Sequence, residues 1–425
     1  MEGQGEAEYS DWDAAGWHGS AFVWGDILGP ALAVASGQPG LSRAAKIAHS
    51  GACGNLSWSW RRPVGPAKRA TGVMMADRRE LVEGWLRDIL GVAHAEVAPA
   101  SSDASFRRYW RLRQGGRTLI VMDAPPEQED CGRFVAIAGQ LRAIGLNAPE
   151  VLAQDLARGL LLLSDLGERP YLDALDDANC ERLYGDALAA LATIQACGPT
   201  EGLPVYDGPF LRRELAIFQD WLLDRHLGIK PSAAEAAMLD TAWDCLVSNA
   251  LEQPQVCVHR DYHSRNLMVV PAHNPGVLDF QDAVVGPVTY DPVSLLRDCY
   301  IVWPEARVRE WASGYFELAV QSGVLEQGHE GRFRRWFDLM GVQRHLKASG
   351  IFARLYHRDG KPGYLADIPR TLGYVVEVAA AYPELAQLEC FMRERVLADQ
   401  DRLCGPREPK NQAPGRNRPH RWVCR

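Results

Sequence analysis

The sequence predicts an α+β chain of two lobes: a small antiparallel sheet with one main helix, then a larger, mostly helical lobe. Three observations predict it. Short apolar runs separated by turn residues fill the stretch before Ser164. Beyond it, apolar residues recur at helical spacing, as in Leu183, Leu188, Leu191 and Ile194. One interruption breaks the helical stretch, where short apolar strands carry polar residues at their ends. Val256-Cys257-Val258 leads into His259-Arg260-Asp261-Tyr262-His263-Ser264-Arg265-Asn266, and Leu267-Met268-Val269-Val270 leads out. Gly276-Val277-Leu278 then runs into Asp279-Phe280-Gln281.

Residues 1–74 differ from the rest. They are rich in Gly, Ala, Ser and Trp and hold no sustained period of two or of a helical turn. Trp12, Trp17, Trp24, Trp58 and Trp60 have no apolar pattern to join. This segment is expected to be an extension outside the folded body, either disordered or upstream of a native start at Met74 or Met75. The folded body is expected to begin at Asp77, an acid cap with Glu80 three residues on, ahead of the stripe Leu81, Trp85, Ile89.

Residues 75–164 are expected to form the small lobe. Residues 109–112 and 119–122 read as strands, and Gly115-Gly116 supplies the turn between them. Residues 127–143 read as its helix, and 151–152 and 160–163 as further strands. Ser164-Asp165-Leu166-Gly167 reads as the hinge. Residues 165–404 form the second lobe, with a further stripe at Leu215, Phe218, Leu222 and Leu223 and helix again from 293 to 403. Residues 405–425, rich in Pro, Asn and Arg, are expected to be a disordered basic tail.

Composition excludes several classes. At 425 residues, 47% hydrophobic and 24% charged, the chain can bury two cores. A formal net charge of −8 argues against general nucleic-acid binding, which needs clustered positive charge. The 10 cysteines show no Cys-x-x-Cys pair and no Cys/His cluster, so neither zinc nor a disulfide framework is expected, and a reducing cytoplasm fits. No stretch is apolar enough to span a bilayer, and the acidic first residues do not suit a secretory signal. The expected partner is a small molecule, with no nucleic acid and no membrane.

The polar strand ends carry the chemistry. A hard divalent ion takes oxygen ligands and keeps some waters. One amide, Asn266, and one carboxylate, Asp279, with the phosphates of a nucleotide, can supply such a set. Asp261 sits five residues before Asn266, far enough for a loop to turn it towards an incoming hydroxyl as the base. Taken singly, such residues are common caps and turns. The whole string, with strands on both sides, reads as a phosphoryl-transfer site.

The pattern His-x-Asp-x-x-His-x-x-Asn with a later Leu-Asp-Phe-Gln-Asp resembles the aminoglycoside-phosphotransferase superfamily. That resemblance implies a bilobal protein-kinase-like fold and a phosphotransferase that uses ATP, Mg²⁺ and an alcohol acceptor. Asp261 matches the family's base, and Asn266 and Asp279 its metal positions. Further stretches resemble one branch, the anomeric kinases for N-acetylmuramate and N-acetylglucosamine of cell-wall recycling. These are 103–109, 121–126, 279–297 and Gln343-Arg344-His345-Leu346-Lys347. The branch implies a small amino sugar phosphorylated at its C1 hydroxyl. The alternatives are an aminoglycoside or other small alcohol as acceptor, or an inactive nucleotide-binding scaffold.

A kinase small lobe covers the phosphates with a Gly-rich turn and reaches them with a strand lysine paired to a helix glutamate. Here the candidate loop, Ser101-Ser102-Asp103-Ala104-Ser105-Phe106, holds no glycine, and no lysine occurs between Met75 and the hinge. Ser102, Ala104 and Ser105 are expected to cradle phosphate with backbone N–H groups. Arg107 or Arg108 is expected to replace the lysine, with Glu127 and Glu129 as possible partners. Asp165 and Gly167 of the hinge are expected to meet the adenine edge.

In kinase-like folds the histidine at the position of His259 buttresses the catalytic loop, and His259 is given that role. His263 is either a loop brace or a partner of Asp279. Asp291, ahead of Pro292, is expected to cap a helix and brace the loop. Arg344 and His345, in a basic cluster with Lys347, are the expected substrate contacts, with Arg265 behind them. A solvated helix face is the alternative for that cluster.

Overall fold

The computed structural model of the chain describes residues 71–91, 97–101, 107–398 and 400–403. Residues 1–70 and the tail from 404 lie outside them, so the expectations for the tail and for most of the extension fall outside the described residues; residues 71–74, expected in the extension, lie in the first helix.

Helix α1 (Thr71–Leu90) comes first. It begins six residues upstream of the expected cap at Asp77. Its buried face is also rotated: Val82, Trp85 and Leu86 are inside, whereas Ile89 is 39% exposed. The sheet follows: β1 (Val97–Ser101), β2 (Arg108–Gln114), β3 (Arg117–Asp123), α2 (Cys131–Ala143), β4 (Val151–Asp155) and β5 (Leu160–Ser164). Its five strands run in the order β1-β2-β3-β5-β4, all antiparallel. Strand β1 has no sequence signal beyond two alternating residues and was not expected.

The β2–β3 hairpin forms at Gly115-Gly116. Both residues have positive φ, 58° and 76°, a conformation that side chains disfavour. Gln114 pairs with Arg117 across the turn. One face of the sheet packs Leu112, Val121, Leu160 and Leu162 against Val82, Trp85 and Leu86 of α1. Helix α2 starts four residues later than expected. Asp130 caps it, accepting from the N–H groups of Gly132 (2.9 Å) and Arg133 (3.3 Å), so Glu127 and Glu129 lie in the turn before it.

After the sheet come α3 (Tyr171–Ala174), α4 (Cys180–Cys197) and α5 (Gly208–Ile217), then a π-helical continuation over Phe218–Leu227 and α6 (Ala233–Leu251). The apolar stripes of α4 and of α5 with its continuation are buried as their spacing required. Strands β6 (Gln255–Val258), β7 (Leu267–Met268), β8 (Gly276–Val277) and β9 (Val284–Pro287) follow. The chain then continues through α7 (Tyr290–Leu296), α8 (Glu305–Gln321), α9 (Glu330–Asp359), α10 (Ile368–Ala379), α11 (Ala386–Phe391) and α12 (Gln400–Leu403). The architecture is bilobal α+β.

Helix α9, 30 residues long, is the axis of the helical lobe. It touches α5 and its continuation, α6, α7 and α10. At Gly350 it passes so close to α5 that an added Cβ would stand 2.5 Å from the Ile217 carbonyl oxygen. Surrounded in this way, α9 buries charged residues that an isolated helix would give to water. Among the described residues no helix is long and apolar enough to cross a membrane.

Candidate active site

Two short ladders build the floor of the site. Strand β6 pairs antiparallel with β9, and β7 with β8. The loop 259–266 joins β6 to β7, so its two ends are fixed by two different ladders. The second ladder extends past its strands, because the Leu278 N–H donates to the Asn266 carbonyl at 2.9 Å. That bond sets Asn266 beside Asp279.

The side chains of Asn266, Asp279 and Gln281 then meet, and Asn266 also reaches the Asp261 backbone. Asn266 Nδ2 donates to the Asp261 carbonyl oxygen (3.0 Å) and to Asp279 Oδ2 (3.3 Å). Gln281 Nε2 donates to Asp279 Oδ1 at 2.7 Å. Asn266 spends its amide nitrogen on these bonds, which fixes the amide so that its oxygen points elsewhere. An amide oxygen and a carboxylate side by side suit a hard cation such as Mg²⁺ better than a soft one. No group of three or more His, Cys, Asp or Glu suited to a metal occurs among the described residues. A cation here would therefore depend on Asn266, Asp279 and the phosphates of a ligand.

The backbone of the site is held under strain at two residues. Arg260 and Asp279 have positive φ, 76° and 64°, which costs a non-glycine residue about 1–3 kcal/mol. Asp291 holds the first of these. Its Oδ2 accepts from the His259 N–H (2.6 Å) and its Oδ1 from the Arg260 N–H (2.9 Å). The loop-bracing role expected of Asp291 matches this placement, but the helix-cap role does not: Thr289 stands at the cap of α7. Burial pushes the Asp291 carboxyl up to about 7 against the pull of those two donors. A second buried carboxylate, Asp298, accepts from the N–H groups of Ser264 (2.9 Å) and Tyr300 (2.9 Å).

His259 is buried, and its Nδ1 accepts from the Asp261 N–H at 3.2 Å. Burial lowers its pKa to about 4, so the ring is a neutral acceptor, as a buttress requires. His263 is buried with its ring 5.4 Å from that of Tyr300, and burial lowers its pKa too. It lies in the loop, and its carbonyl accepts from the Asn266 N–H at 2.9 Å.

Behind Asp261 lies a charge network that sequence reading missed. Glu214 of α5 is buried; its carboxylate takes Lys347 of α9 (2.9 Å), Arg260 and the Tyr206 hydroxyl. Lys347 Nζ also donates to the Tyr290 hydroxyl at 2.8 Å. Burial raises the Asp261 pKa, but Lys347, His263 and Arg260 outweigh it and hold the carboxyl below the usual range. The missed signal was Glu214 itself, an acid on the buried face that Leu211, Leu215 and Phe218 share.

In the small lobe the usual polarity is inverted. Strand β3 ends in a buried acid, Asp123, paired with Arg78 of α1 and, at 3.8 Å, with Arg108. Arg107 points the other way, with Nη2 2.8 Å from Glu129 and Nη1 3.5 Å from Asp279. Of the two arginines left open by the sequence, Arg107 is the one brought to the site. Asp165 and Gly167 are engaged by Arg111: Nε lies 2.7 Å from the Asp165 carboxylate and Nη2 2.8 Å from the Gly167 carbonyl. Burial raises the Asp165 pKa, but Arg111 and the Gly167 N–H outweigh it. The Asp165 side chain therefore braces the hinge against β2. Ser102, Ala104 and Ser105 lie outside the described residues.

The expected substrate contacts separate. Arg265 is exposed, 4.0 Å over the Tyr300 ring and 5.2 Å over the Tyr364 ring. Arg344 and His345 are only 5% and 1% exposed. Arg344 Nη1 reaches Cys299 Sγ at 3.5 Å, and its charge helps lower the His263 pKa. His345 Nε2 meets the Arg297 carbonyl at 2.8 Å, and its ring stacks on Tyr374. The expectation that these two face a substrate is corrected. Their helix is enclosed, so the basic cluster is interior and not a solvated face.

The family model described as phosphotransferase enzyme family matches residues 96–329. A protein of Pseudomonas aeruginosa named N-acetylmuramate/N-acetylglucosamine kinase is 52% identical over 308 residues, 72% of this chain and 90% of that protein. Proteins of the same name from Pseudomonas putida and Neisseria meningitidis are 48% and 37% identical, over 70% and 75% of this chain and 87% and 96% of their own lengths. Among solved structures, an ethanolamine kinase of Plasmodium vivax superposes with a TM-score of 0.55 at 9% identity, covering 76% of this chain and 92% of that one, a likeness of fold alone. With more than half its length matched by the family model and these relatives at high coverage, the chain belongs to the phosphotransferase enzyme family.

Proposed function

We propose that the protein is an ATP-dependent kinase that phosphorylates the anomeric C1 hydroxyl of N-acetylmuramate, N-acetylglucosamine or both. The observation that carries this reading is Asn266 Nδ2 bridging the Asp261 backbone carbonyl and the Asp279 carboxylate, in a chain whose curated relatives bear the name of that activity. Asp261 is the base. It accepts the proton of the C1 hydroxyl as the sugar oxygen bonds to the γ-phosphorus of ATP. The bond between that phosphorus and the β–γ bridging oxygen breaks, and ADP leaves with the electron pair. The product is the sugar 1-phosphate, and Asp261 returns its proton to water.

An anomeric hydroxyl is more acidic than an ordinary alcohol, because the ring oxygen withdraws charge. A carboxylate held ionised by Lys347 and Arg260 therefore suffices as a late proton acceptor. Most of the acceleration comes from position and charge neutralisation. Asn266 and Asp279 would hold Mg²⁺, which neutralises phosphate charge when bound. Arg107 supplies the positive charge that a strand lysine supplies elsewhere, and Glu129 orients it. Residues 75–164 serve the nucleotide, and residues 165–404 carry the catalytic residues and the sugar. ATP as the donor and a role in amino-sugar salvage from peptidoglycan, both part of this reading, fit a cytoplasmic enzyme.

The test is a coupled ADP-release assay over N-acetylmuramate, N-acetylglucosamine, aminoglycosides and other small alcohols, with phosphorus NMR of each product. A C1 phosphate from an N-acetylated amino sugar is expected. Phosphorylation of an aminoglycoside alone would select the antibiotic-modifying reading, and no release with any acceptor the inactive scaffold.

A further inference from the structure

We propose that Arg265, clamped between Tyr300 and Tyr364, receives the lactyl carboxylate of N-acetylmuramate and sets the preference for an acidic over a neutral acceptor. This rests on the sugar-kinase reading above. The two sugars differ in one group, the O-lactyl ether at C3, so one cation beside the acceptor is enough to tell them apart.

Position comes first. Arg265 is covalently next to Asn266 and four residues from Asp261, so its backbone belongs to the floor of the site. Its guanidinium lies over the ring faces of Tyr300 and Tyr364, with centroid distances of 4.0 and 5.2 Å. Contacts of this kind use the faces of the planar cation and leave its N–H edge available. The side chain is exposed, and no carboxylate pairs with it among the described residues. The other arginines beside the loop and in the small-lobe part of the site are engaged. Arg260 is on Glu214, and Arg107 is on Glu129 and Asp279.

The clamp is also preorganised. Asp298 accepts from both the Ser264 and the Tyr300 N–H, so the arginine's loop and one wall of the clamp hang on one buried carboxylate. Phe352 of α9 stacks on Tyr364 (5.8 Å) and packs beside Tyr300 (6.1 Å), which ties the two walls together. An arginine held this way loses little freedom on binding and offers a fork that matches a carboxylate with two parallel bonds. A neutral acceptor such as N-acetylglucosamine has no partner for that fork.

The experiment measures kcat/KM for N-acetylmuramate and N-acetylglucosamine on the same preparations of unsubstituted protein, R265Q, R265K and Y364L. The ratio of the two values is read, because any loss of folded protein cancels in it. Removing a charge-assisted hydrogen bond is expected to lower the ratio for R265Q about 10- to 100-fold, mainly through KM for N-acetylmuramate. R265K keeps the charge without the fork and is expected to recover part of the ratio. Y364L removes one wall and is expected to lower the ratio in the same direction as R265Q. Converting the lactyl carboxylate to its methylamide is expected to abolish the difference between R265Q and the unsubstituted protein. A ratio unmoved by R265Q, with active enzyme, would overturn the clamp and leave the kinase reading standing. No sugar 1-phosphate from either sugar with the unsubstituted protein would overturn both.

Discussion

Arg107 Nη1 stands 3.5 Å from Asp279 Oδ1, while Nη2 of the same guanidinium lies 2.8 Å from Glu129 Oε2. One cation from the residue before β2 thereby links the turn before α2 to the carboxylate that follows β8. Burial works against its charge, yet Tyr109, Glu129 and Asp279 more than compensate and raise its pKa. An arginine cannot be deprotonated in a protein, so this charge is present at every working pH. On the proposed reading this charge stands in for the strand lysine that the small lobe lacks.

The first prediction concerns that pair. R107Q should lower kcat/KM for ATP about 100-fold, the cost of one electrostatic contact to a transferring phosphoryl group. R107K should retain part of the rate, since it keeps the charge and loses the fork. Initial rates at varied ATP check this. A fall confined to the KM of the sugar would place Arg107 outside nucleotide handling.

Glu214 and Lys347 yield a prediction about stability. Both are buried, 2.9 Å apart, and each keeps the other charged. Burial alone would raise the Glu214 pKa, and Lys347 first and Arg260 second overturn that. K347M leaves a buried carboxylate short of a partner and should cost about 3 kcal/mol in urea unfolding. E214Q/K347M should cost less than the sum of its two single variants, because neither charge is then left behind. Additive losses would mean that the two do not act as a pair.

The buried ring of His345 predicts a pH dependence. Its pKa is lowered from 6.5 to about 3 by burial first and by Arg344 second. Above the unfolded value both states are neutral, and the contribution to stability is fully present. As pH falls through 6.5 towards 3, the unfolded chain takes up a proton that the folded chain refuses, so stability drains away. The full effect is on the order of 3–5 kcal/mol. H345Q should flatten part of this loss, as read from unfolding midpoints at about pH 7.5 and about pH 5. An H345Q curve parallel to that of the unsubstituted protein would remove His345 as the cause.

The parts legible in the sequence are those fixed by local chemistry. Gly115-Gly116 announced a hairpin because positive φ is cheap only for glycine. The string from His259 to Asn266 announced a loop because its polar residues sit between apolar strands. The convergence on Asp279 was legible for the same reason, since β8 leads straight into it. What stayed hidden depends on distant packing. Nothing near Glu214 names Lys347, 133 positions away, and only the crossing of α9 over α5 joins them. Arg344 and His345 read as a basic helix face because spacing along a helix cannot say that partners enclose it on all sides. Strand β1 exists because β2 offers it an edge.

The most direct test of the central claim is D261N, with sugar 1-phosphate formation and ATP binding measured on the same protein. The rate should fall about 10²- to 10⁴-fold, the share of a positioned base, while the Kd for ATP measured by calorimetry changes by less than about threefold. Turnover at the unsubstituted rate would contradict the assignment of Asp261 as the base. Loss of ATP binding matching the loss of rate would contradict the separation of base from nucleotide site.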